Sequence, residues 1–588
     1  MQLATIDWIV IACCLSAAFA PALYYARRAS ENTTEFFASG RTAPWWLIGT
    51  SMVATTFSTD TPNLVTDFVR SSGVSRNWEW WAFLLTGMLT VFFYARLWRR
   101  SGVLTDLEFY ELRYSGRSAA FVRGFRAVYL GFFFNCTIMA AVTLAAVKVA
   151  NVMLGWDRLQ TVIVCGLICV VFSALAGLWG VMASDLIQFT IAMVGVIAAA
   201  WVALSQPEVG GLHGLVNRID PATLSLLPDF SDWGLTLSVL VVPLTIQWWA
   251  VWYPGAEPGG GSYIAQRMLA AKDEKNAMAA TLWFNIAHYA LRPWPWIIVA
   301  LCSILVFPTL GDIQTALPHV SDDLIGNDLA YPAMLTLLPA GLLGLLVASL
   351  LSAYVSTMST HLNWGCSYLV HDLYRRFIEP DASEHRLVWL SRLMTVVLMI
   401  AAGGTVFLLS TAGEAFHLLL SIGAGTGLIY LLRWFWWRIN SWSEIAAMAA
   451  SFIIAMGLFI ARKGGLDLSS HAALVWSVAL TTVIWVAVTF ATPPTDTETL
   501  RRFYEKVRPA GRGWAKVVGD DAVVGGNDGL SLAVLGWVLG CTFVYATLFG
   551  TGALLYGQWM QSGLCFAVAI GTGLGLMKVA PKIWNEGS

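Results

Sequence analysis

One apolar stretch, Ala353-Tyr-Val-Ser-Thr-Met-Ser-Thr360, carries a set of oxygens with a use. On a helix Ala353, Ser356, Thr357 and Thr360 stand at i, i+3, i+4 and i+7 and share one face. A hard monovalent cation such as sodium needs several oxygen ligands. Two or three hydroxyls plus carbonyls of unwound backbone supply them without burying a net charge. The same hydroxyls have a plainer use, bonding back to the carbonyl one turn earlier or letting two helices pack closely. Two further stretches predict the unwound backbone. In Thr50-Ser-Met-Val-Ala-Thr-Thr-Phe-Ser-Thr-Asp-Thr-Pro62, hydroxyls and an acid crowd an apolar run before a proline. That pattern predicts a new helix starting mid-membrane, with Pro62 at its first position and Asp60 or Thr61 capping it. Tyr253-Pro-Gly-Ala-Glu-Pro-Gly-Gly-Gly-Ser262 puts prolines and glycines where no helix continues.

Ionisable residues inside apolar runs are the second signal, because each costs at least ~2.5 kcal/mol to insert. They are Asp60, Glu79, Lys148, Asp185, Glu257, His288 and Arg292. Asp60 also serves as a helix cap, Glu79 in Asn77-Trp-Glu-Trp-Trp81 as part of an interfacial aromatic belt, and Lys148 lies near enough to a helix end to snorkel. Asn285, His288 and Arg292 fall at i, i+3 and i+7, a polar stripe that suits a cavity rather than lipid.

The elements that position these groups follow from composition. Of 588 residues 57% are hydrophobic and 12% charged, and mean hydropathy is +0.66, which excludes a soluble globular protein and predicts an all-α polytopic membrane protein. A net charge of -1 gives no basic excess for nucleic acid. Nine cysteines without a CxxC pair or Cys/His spacing indicate neither zinc nor a disulfide framework. At about 20 apolar residues per crossing, helices are expected near 5–25, 43–70, 77–98, 126–152, 159–181, 185–205, 233–268, 279–307, 338–363, 387–410, 414–433, 442–461, 470–491, 530–551 and 557–577, roughly 15 in all. The first has no basic segment before it and no small-residue cleavage site, and reads as a retained span. With the N-terminus outside and the C-terminus cytoplasmic, roughly 27 Lys/Arg fall inside against about 6 outside. Arg267, Arg433 and the cluster Arg96 to Arg126 are counted there with the cytoplasmic loops.

Interruptions five helices apart point to inverted repeats around a midplane site. The expected organisation is an N-terminal helix and loop (1–42), a first repeat (43–205), an extracellular loop (206–232) and a second repeat (233–434). Two additional helices (435–492), a cytoplasmic linker (493–529) and two C-terminal helices (530–588) complete it.

Several motifs give this pattern a likeness. Glu35-Phe-Phe-Ala-Ser-Gly-Arg41, Thr105-Asp-Leu-Glu-Phe-Tyr-Glu-Leu-Arg113, Ser184-Asp-Leu-Ile-Gln188, Tyr263-Ile-Ala-Gln-Arg-Met-Leu-Ala-Ala-Lys272 and Ser356-Thr-Met-Ser-Thr-His-Leu-Asn363, leading to Asp372-Leu-Tyr374, together resemble the sodium:solute symporter family over about residues 1 to 490. The resemblance implies a LeuT-like five-plus-five inverted repeat with flanking helices. It implies a sodium site from the carbonyls of Ala54, Phe57 and Ala353 and the hydroxyls of Ser356 and Thr357. A second sodium, present in some members, would match Asp185, Ser356, Ser359 and Thr360. For the solute it implies Glu79 and Asn135, whereas Thr61 replaces a sugar-binding glutamine, His288 replaces a lysine, and the Pro-Gly segment 254–261 is unlike the sugar group. Asp60, Glu257 and Arg292 complete the solute candidates, Arg292 either receiving a carboxylate or pairing with Glu257 or Glu79.

The expected function is sodium-coupled symport of a small polar organic solute (a sugar, amino acid or carboxylate) by alternating access in the plasma membrane. Sodium ions, the solute and the lipid bilayer are the only partners. A transporter-like sensor is the alternative, although the stretch from Pro493 to Ser531 is too short for a signalling domain. A membrane enzyme is disfavoured, since no nucleophile with a nearby base is evident.

Overall fold

A computed structural model describes residues 3–29, 31–409, 411–519 and 527–585. Twelve helices among them are long and apolar enough to cross a membrane. These are α1 (Thr5–Arg28), α4 (Val74–Ser101), α5 (Gly116–Leu154), α6 (Arg158–Leu204), α7 (Trp233–Ala250), α9 (Glu274–Val306), α10 (Leu342–Ile378), α11 (Glu384–Leu408), α14 (Ser441–Arg462), α15 (Ser470–Ala491), α16 (Gly529–Leu555) and α17 (Trp559–Ile583). The shorter α2 (Trp45–Thr56), α3 (Asp60–Ser72), α8 (Ser262–Ala270), α12 (Ala412–Gly423) and α13 (Gly427–Leu432) complete the set used below.

These twelve stand beside roughly fifteen expected crossings, and the difference has a physical origin. The runs 43–70 and 414–433 each divide into two half-length helices, α2/α3 and α12/α13. The runs 159–181 and 185–205 form one element, α6, of 47 residues. As a straight rod it would reach about 70 Å, over twice a ~30 Å hydrocarbon core. It bends instead at Gly177, whose φ of 54° and ψ of -178° lie outside the helical region.

The first break spans Phe57 to Thr59, and α3 begins at Asp60, two residues earlier than expected. Pro62 is therefore its third residue, where an absent N–H still costs nothing because the first four amides of a helix lack intrahelical partners. The second break follows α7. Gly255 has φ +81°, and a Cβ there would lie 2.5 Å from the Tyr263 hydroxyl and 2.8 Å from Thr56 Cγ2, so only glycine lets this loop cross the end of α2. A third break, at Ala424 to Thr426, packs against the second: Trp252 N–H donates to the Gly423 carbonyl (3.3 Å) and Gly425 N–H to the Ala250 carbonyl (2.9 Å). At the opposite ends of the first two broken spans, Ala43 N–H donates to Ala270 O (3.3 Å) and Lys272 N–H to Ala43 O (3.2 Å). Interrupted elements thus satisfy one another's backbone, as the bilayer requires. α6 packs along α1, α2, α9 and α10, which puts the first break at the centre of the bundle.

Lys148 does not snorkel. Its ammonium is buried and 2.6 Å from Asp328, in the segment between α9 and α10. Arg70 of α3 ties the same region, donating to the carbonyls of Ser303 and Phe307 (both 2.8 Å) and to Asn327 Oδ1 (3.3 Å). Arg267, Arg126 and Arg433, counted above with the cytoplasmic loops, are also buried. The last hairpin, α16–α17, docks by close approach: a Cβ on Gly536 or Gly540 would lie 2.7 Å from Phe92 and 2.8 Å from Met88 of α4. Trp537, Tyr545 and the Leu548 carbonyl bond respectively to Leu85 O (2.8 Å), Trp81 O (2.9 Å) and the Trp294 indole (2.9 Å), and Trp537 stacks on Trp248 of α7.

Candidate functional site

Where α2 unwinds, a cavity of about 100 Å³ opens, room for roughly seven to ten waters. Thr56, Asp60, Thr61, His288, Arg292 and Thr357 supply polar lining, and Trp80, Tyr253, Tyr263, Tyr289 and Phe416 supply rings. Thr56 Oγ1 lies 3.0 Å from His288 Nδ1. Arg292 Nη2 contacts the same imidazole nitrogen, and Nη1 donates to the Val53 carbonyl (3.3 Å). A guanidinium only donates, so that imidazole nitrogen accepts. The rings of Trp296 and Phe57 lie 5.3 and 5.9 Å from the guanidinium carbon. No acid stands within ion-pair reach of Arg292 among the described residues. Its charge is held by rings, a carbonyl and a neutral acceptor at contact distance, and by the Asp60 carboxyl acting on it across the cavity. On the facing element Asp60 Oδ1 is buried with no hydrogen-bond partner. A cavity holding a cation without a contact ion pair and a carboxyl oxygen without a hydrogen bond can bind a solute that supplies both complements.

Beside the cavity α10 runs against the end of α2. Thr357 Oγ1 donates to the Thr55 carbonyl (2.8 Å), and Ser356 Oγ donates to Asp185 Oδ1 (2.5 Å). Ala54 and Phe57 flank the same turn, where Phe57 N–H donates to Ala54 O (3.0 Å), and Ala353 lies buried one turn back on α10. Both hydroxyl protons are committed, so the lone pairs of Ser356 and Thr357 remain available. A turn further along, Ser359 Oγ donates to the Ser356 carbonyl (3.0 Å) and Thr360 Oγ1 lies 2.9 Å from Thr55 Oγ1.

The sodium:solute symporter family profile matches residues 36–454. The chain belongs to the sodium:solute symporter family. It couples sodium to the movement of a small polar organic solute, and it is a transporter rather than an enzyme. The symporter is 25% identical to the sodium/glucose cotransporter of Vibrio parahaemolyticus over 452 residues, which covers 73% of this chain and 80% of that protein. It is 24% identical to a sodium/mannose cotransporter of Bos taurus over 489 residues, covering 76% and 78%. Its fold is similar to that of a Na+-coupled sialic acid symporter in a substrate-bound outward-open state, with a TM-score of 0.62 at 19% identity over 84% of this chain and 99% of the other.

Three expected solute residues of the symporter lie off the cavity. Glu79 pairs with Arg76 (3.0 Å). Asn135 donates to the His361 carbonyl (2.8 Å) and accepts contact from the His361 ring (2.8 Å). Glu257 accepts from Gly255 N–H (3.1 Å) inside the second break, and neither it nor Glu79 reaches Arg292. Asn285 leaves the stripe, because a wider turn over Ala287–Leu291 shifts the register, and its side chain faces Gly87 of α4. Sequence reasoning missed the aromatic lining and Arg267. The tyrosines had no distinguishing spacing, and Arg267 lay within a quoted motif but at the end of an apolar run, where an arginine reads as interfacial.

Proposed function

We propose that sodium binds where the first broken helix meets α10, held by the carbonyls of Ala54, Phe57 and Ala353 and the hydroxyls of Ser356 and Thr357. The observation that carries this is the orientation of the two hydroxyls: each gives its proton to a protein acceptor and keeps its lone pairs for a cation. Sodium there bridges the unwound strand to α10, and it drives transport as far as it binds the solute-ready state better than the other. The solute occupies the adjacent cavity. Arg292 and Asp60 favour one that carries a carboxylate for the guanidinium and a donor for Asp60 Oδ1, as an amino acid does. The relatives are named for glucose and mannose, and a neutral sugar is the competing reading. The finer architecture that goes with this function has fifteen crossings, inverted repeats over 43–205 and 233–434, the N-terminus outside and the C-terminus cytoplasmic. Uptake into proteoliposomes of sugars, amino acids and carboxylates, driven by a sodium gradient against a potassium control, tests the reading. An amino acid accumulated only with sodium, and weakened far more than sodium itself by Arg292→Gln, supports it. Uptake of a neutral sugar unaffected by Arg292→Gln overturns the solute class.

A further inference from the structure

A second cavity, apart from the solute site, opens sideways between α5 and α14 and offers about 540 Å³, within the range of a single bound ligand. Phe121, Phe125, Tyr129 and Phe133 follow at steps of four along α5 and line one wall. The first three rings stack in sequence, with centroids 5.9 and 5.6 Å apart. Ile445, Ala449 and Phe452 of α14 line the other wall. Phe121, Phe125, Phe133 and Phe452 are exposed, so the groove faces out of the bundle toward lipid. Little in it can hold water: Thr137 donates to the Phe133 carbonyl (3.0 Å), and Tyr129 is the other lining residue with a hydroxyl.

Both walls turn polar at the same end. Arg117 stands one turn before Phe121 on the same face, exposed and without an ion pair or hydrogen bond to any described residue. Opposite it α14 begins with Ser441, whose Oγ lies 2.6 Å from Ser118 Oγ, and with Trp442, half exposed as interfacial indoles are. From Phe121 to Phe133 the ring wall runs about 18 Å, slightly more than one leaflet of a ~30 Å hydrocarbon core. A transmembrane helix is about 10 Å across and packs on small residues, and neither property suits a slot walled by rings.

We propose that this groove binds an anionic glycerophospholipid, with one acyl chain between the ring ladder and α14 and the phosphate on Arg117. The chain lies one side chain away from the broken helices. Phe134 and Ile422, which floor the groove, also wall a small inner pocket with Trp252, Gly423 and Thr426. Phe134 packs edge-on against Trp252 with centroids 4.6 Å apart, and Ser451 of α14 donates to the carbonyls of Ile422 (3.0 Å) and Ala424 (2.6 Å). The bound lipid therefore braces the two helices, α5 and α14, that pack against the second and third breaks.

The test is native mass spectrometry of the purified full-length protein titrated with phosphatidylglycerol or with phosphatidylcholine. Wild type is expected to bind its first phosphatidylglycerol about fivefold more tightly than its first phosphatidylcholine, the effect of one basic residue beside an anionic lipid. Arg117→Gln brings the two lipids to near equality. Ala449→Trp, which fills the groove from its exposed wall, abolishes the preferred first site. Both substitutions fall at exposed positions and leave the packed interior intact. Equal binding of the two lipids by wild type, or a preference that survives either substitution, overturns the proposal. Photolabelling supplies the position. A phosphatidylglycerol carrying a diazirine near the end of its acyl chain should modify residues within 129–137 and 445–452. Adducts scattered over other lipid-facing helices, such as α1 and α17, overturn the site even where the preference for phosphatidylglycerol holds.

Discussion

Thr357→Ala isolates the contribution of one oxygen. The side chain is buried, lines the cavity and gives its proton to the Thr55 carbonyl at 2.8 Å. Two effects follow from its removal. The fold loses one neutral hydrogen bond, about 1 kcal/mol, spread over a large bundle. Sodium loses a ligand, and a polar contact to a charged group contributes about 1.5–3 kcal/mol. At 1.4 kcal/mol per tenfold, sodium affinity falls about 10–150-fold. Thr357→Ser keeps the oxygen and is expected to stay within about threefold of wild type. Half-saturating sodium is read twice, by binding to purified protein and by solute uptake into proteoliposomes. An Ala variant within twofold of wild type, or a Ser variant as damaged as Ala, refutes the argument that this hydroxyl is a sodium ligand.

Other consequences are testable more briefly. Lys148→Met or Asp328→Leu alone leaves one buried charge and is expected to destabilise by about 3–5 kcal/mol, while the double variant recovers most of the loss; thermal unfolding followed by a thiol-reactive dye on the buried cysteines measures both, and additive losses contradict the pairing. At Glu108, burial pushes the carboxyl up, but the His371 hydrogen bond and the His371 and Arg123 charges outweigh it and hold it at about 2 against an ordinary 4.5. A depressed acid stabilises above its unfolded pKa and loses that stabilisation as pH falls toward the folded one. The melting-temperature gap between wild type and Glu108→Gln should therefore shrink between about pH 4.5 and 2, and a gap that widens on acidification reverses the sign. For orientation, Leu3→Cys and Asn585→Cys in a cysteine-free background should label from outside and from the cytoplasm respectively. Outside labelling of position 585 in sealed cells excludes the fifteen-crossing topology.

Local chemistry made part of this molecule legible. Proline and glycine cannot continue a helix, so the breaks near Phe57 and after Tyr253 follow from residue type alone. The spacing of Ser356 and Thr357 fixed their common face for the same reason. What stayed hidden depends on partners far along the chain. Lys148 finds Asp328 across 180 residues, and Arg267 finds Thr55 across 212. Hydropathy alone places both at a helix end in water. Asn285 left its stripe because one wide turn alters a register that assumed 3.6 residues throughout. The third break was written in Gly423-Ala-Gly-Thr-Gly427, yet small residues inside an apolar run also suit close packing. Its role appears only with the paired backbone of Ala250 to Trp252.

The docking of the last hairpin bears on the order in which the protein is made. Of the twelve membrane-length helices, α4, α7 and α9 are the least apolar, and all three touch α16, through Trp81 and Leu85, Trp248, and Trp294 respectively. Until that hairpin leaves the ribosome, the faces it covers meet lipid. The weakest inserters therefore wait for it: at least 222 residues separate the end of α9 from the start of α16, roughly 10–45 seconds of synthesis at about 5–20 residues per second. A chain stopped before Asn527 would retain the residues proposed for sodium and solute but leave those faces to lipid, which makes early truncation a defect of biogenesis rather than of binding chemistry.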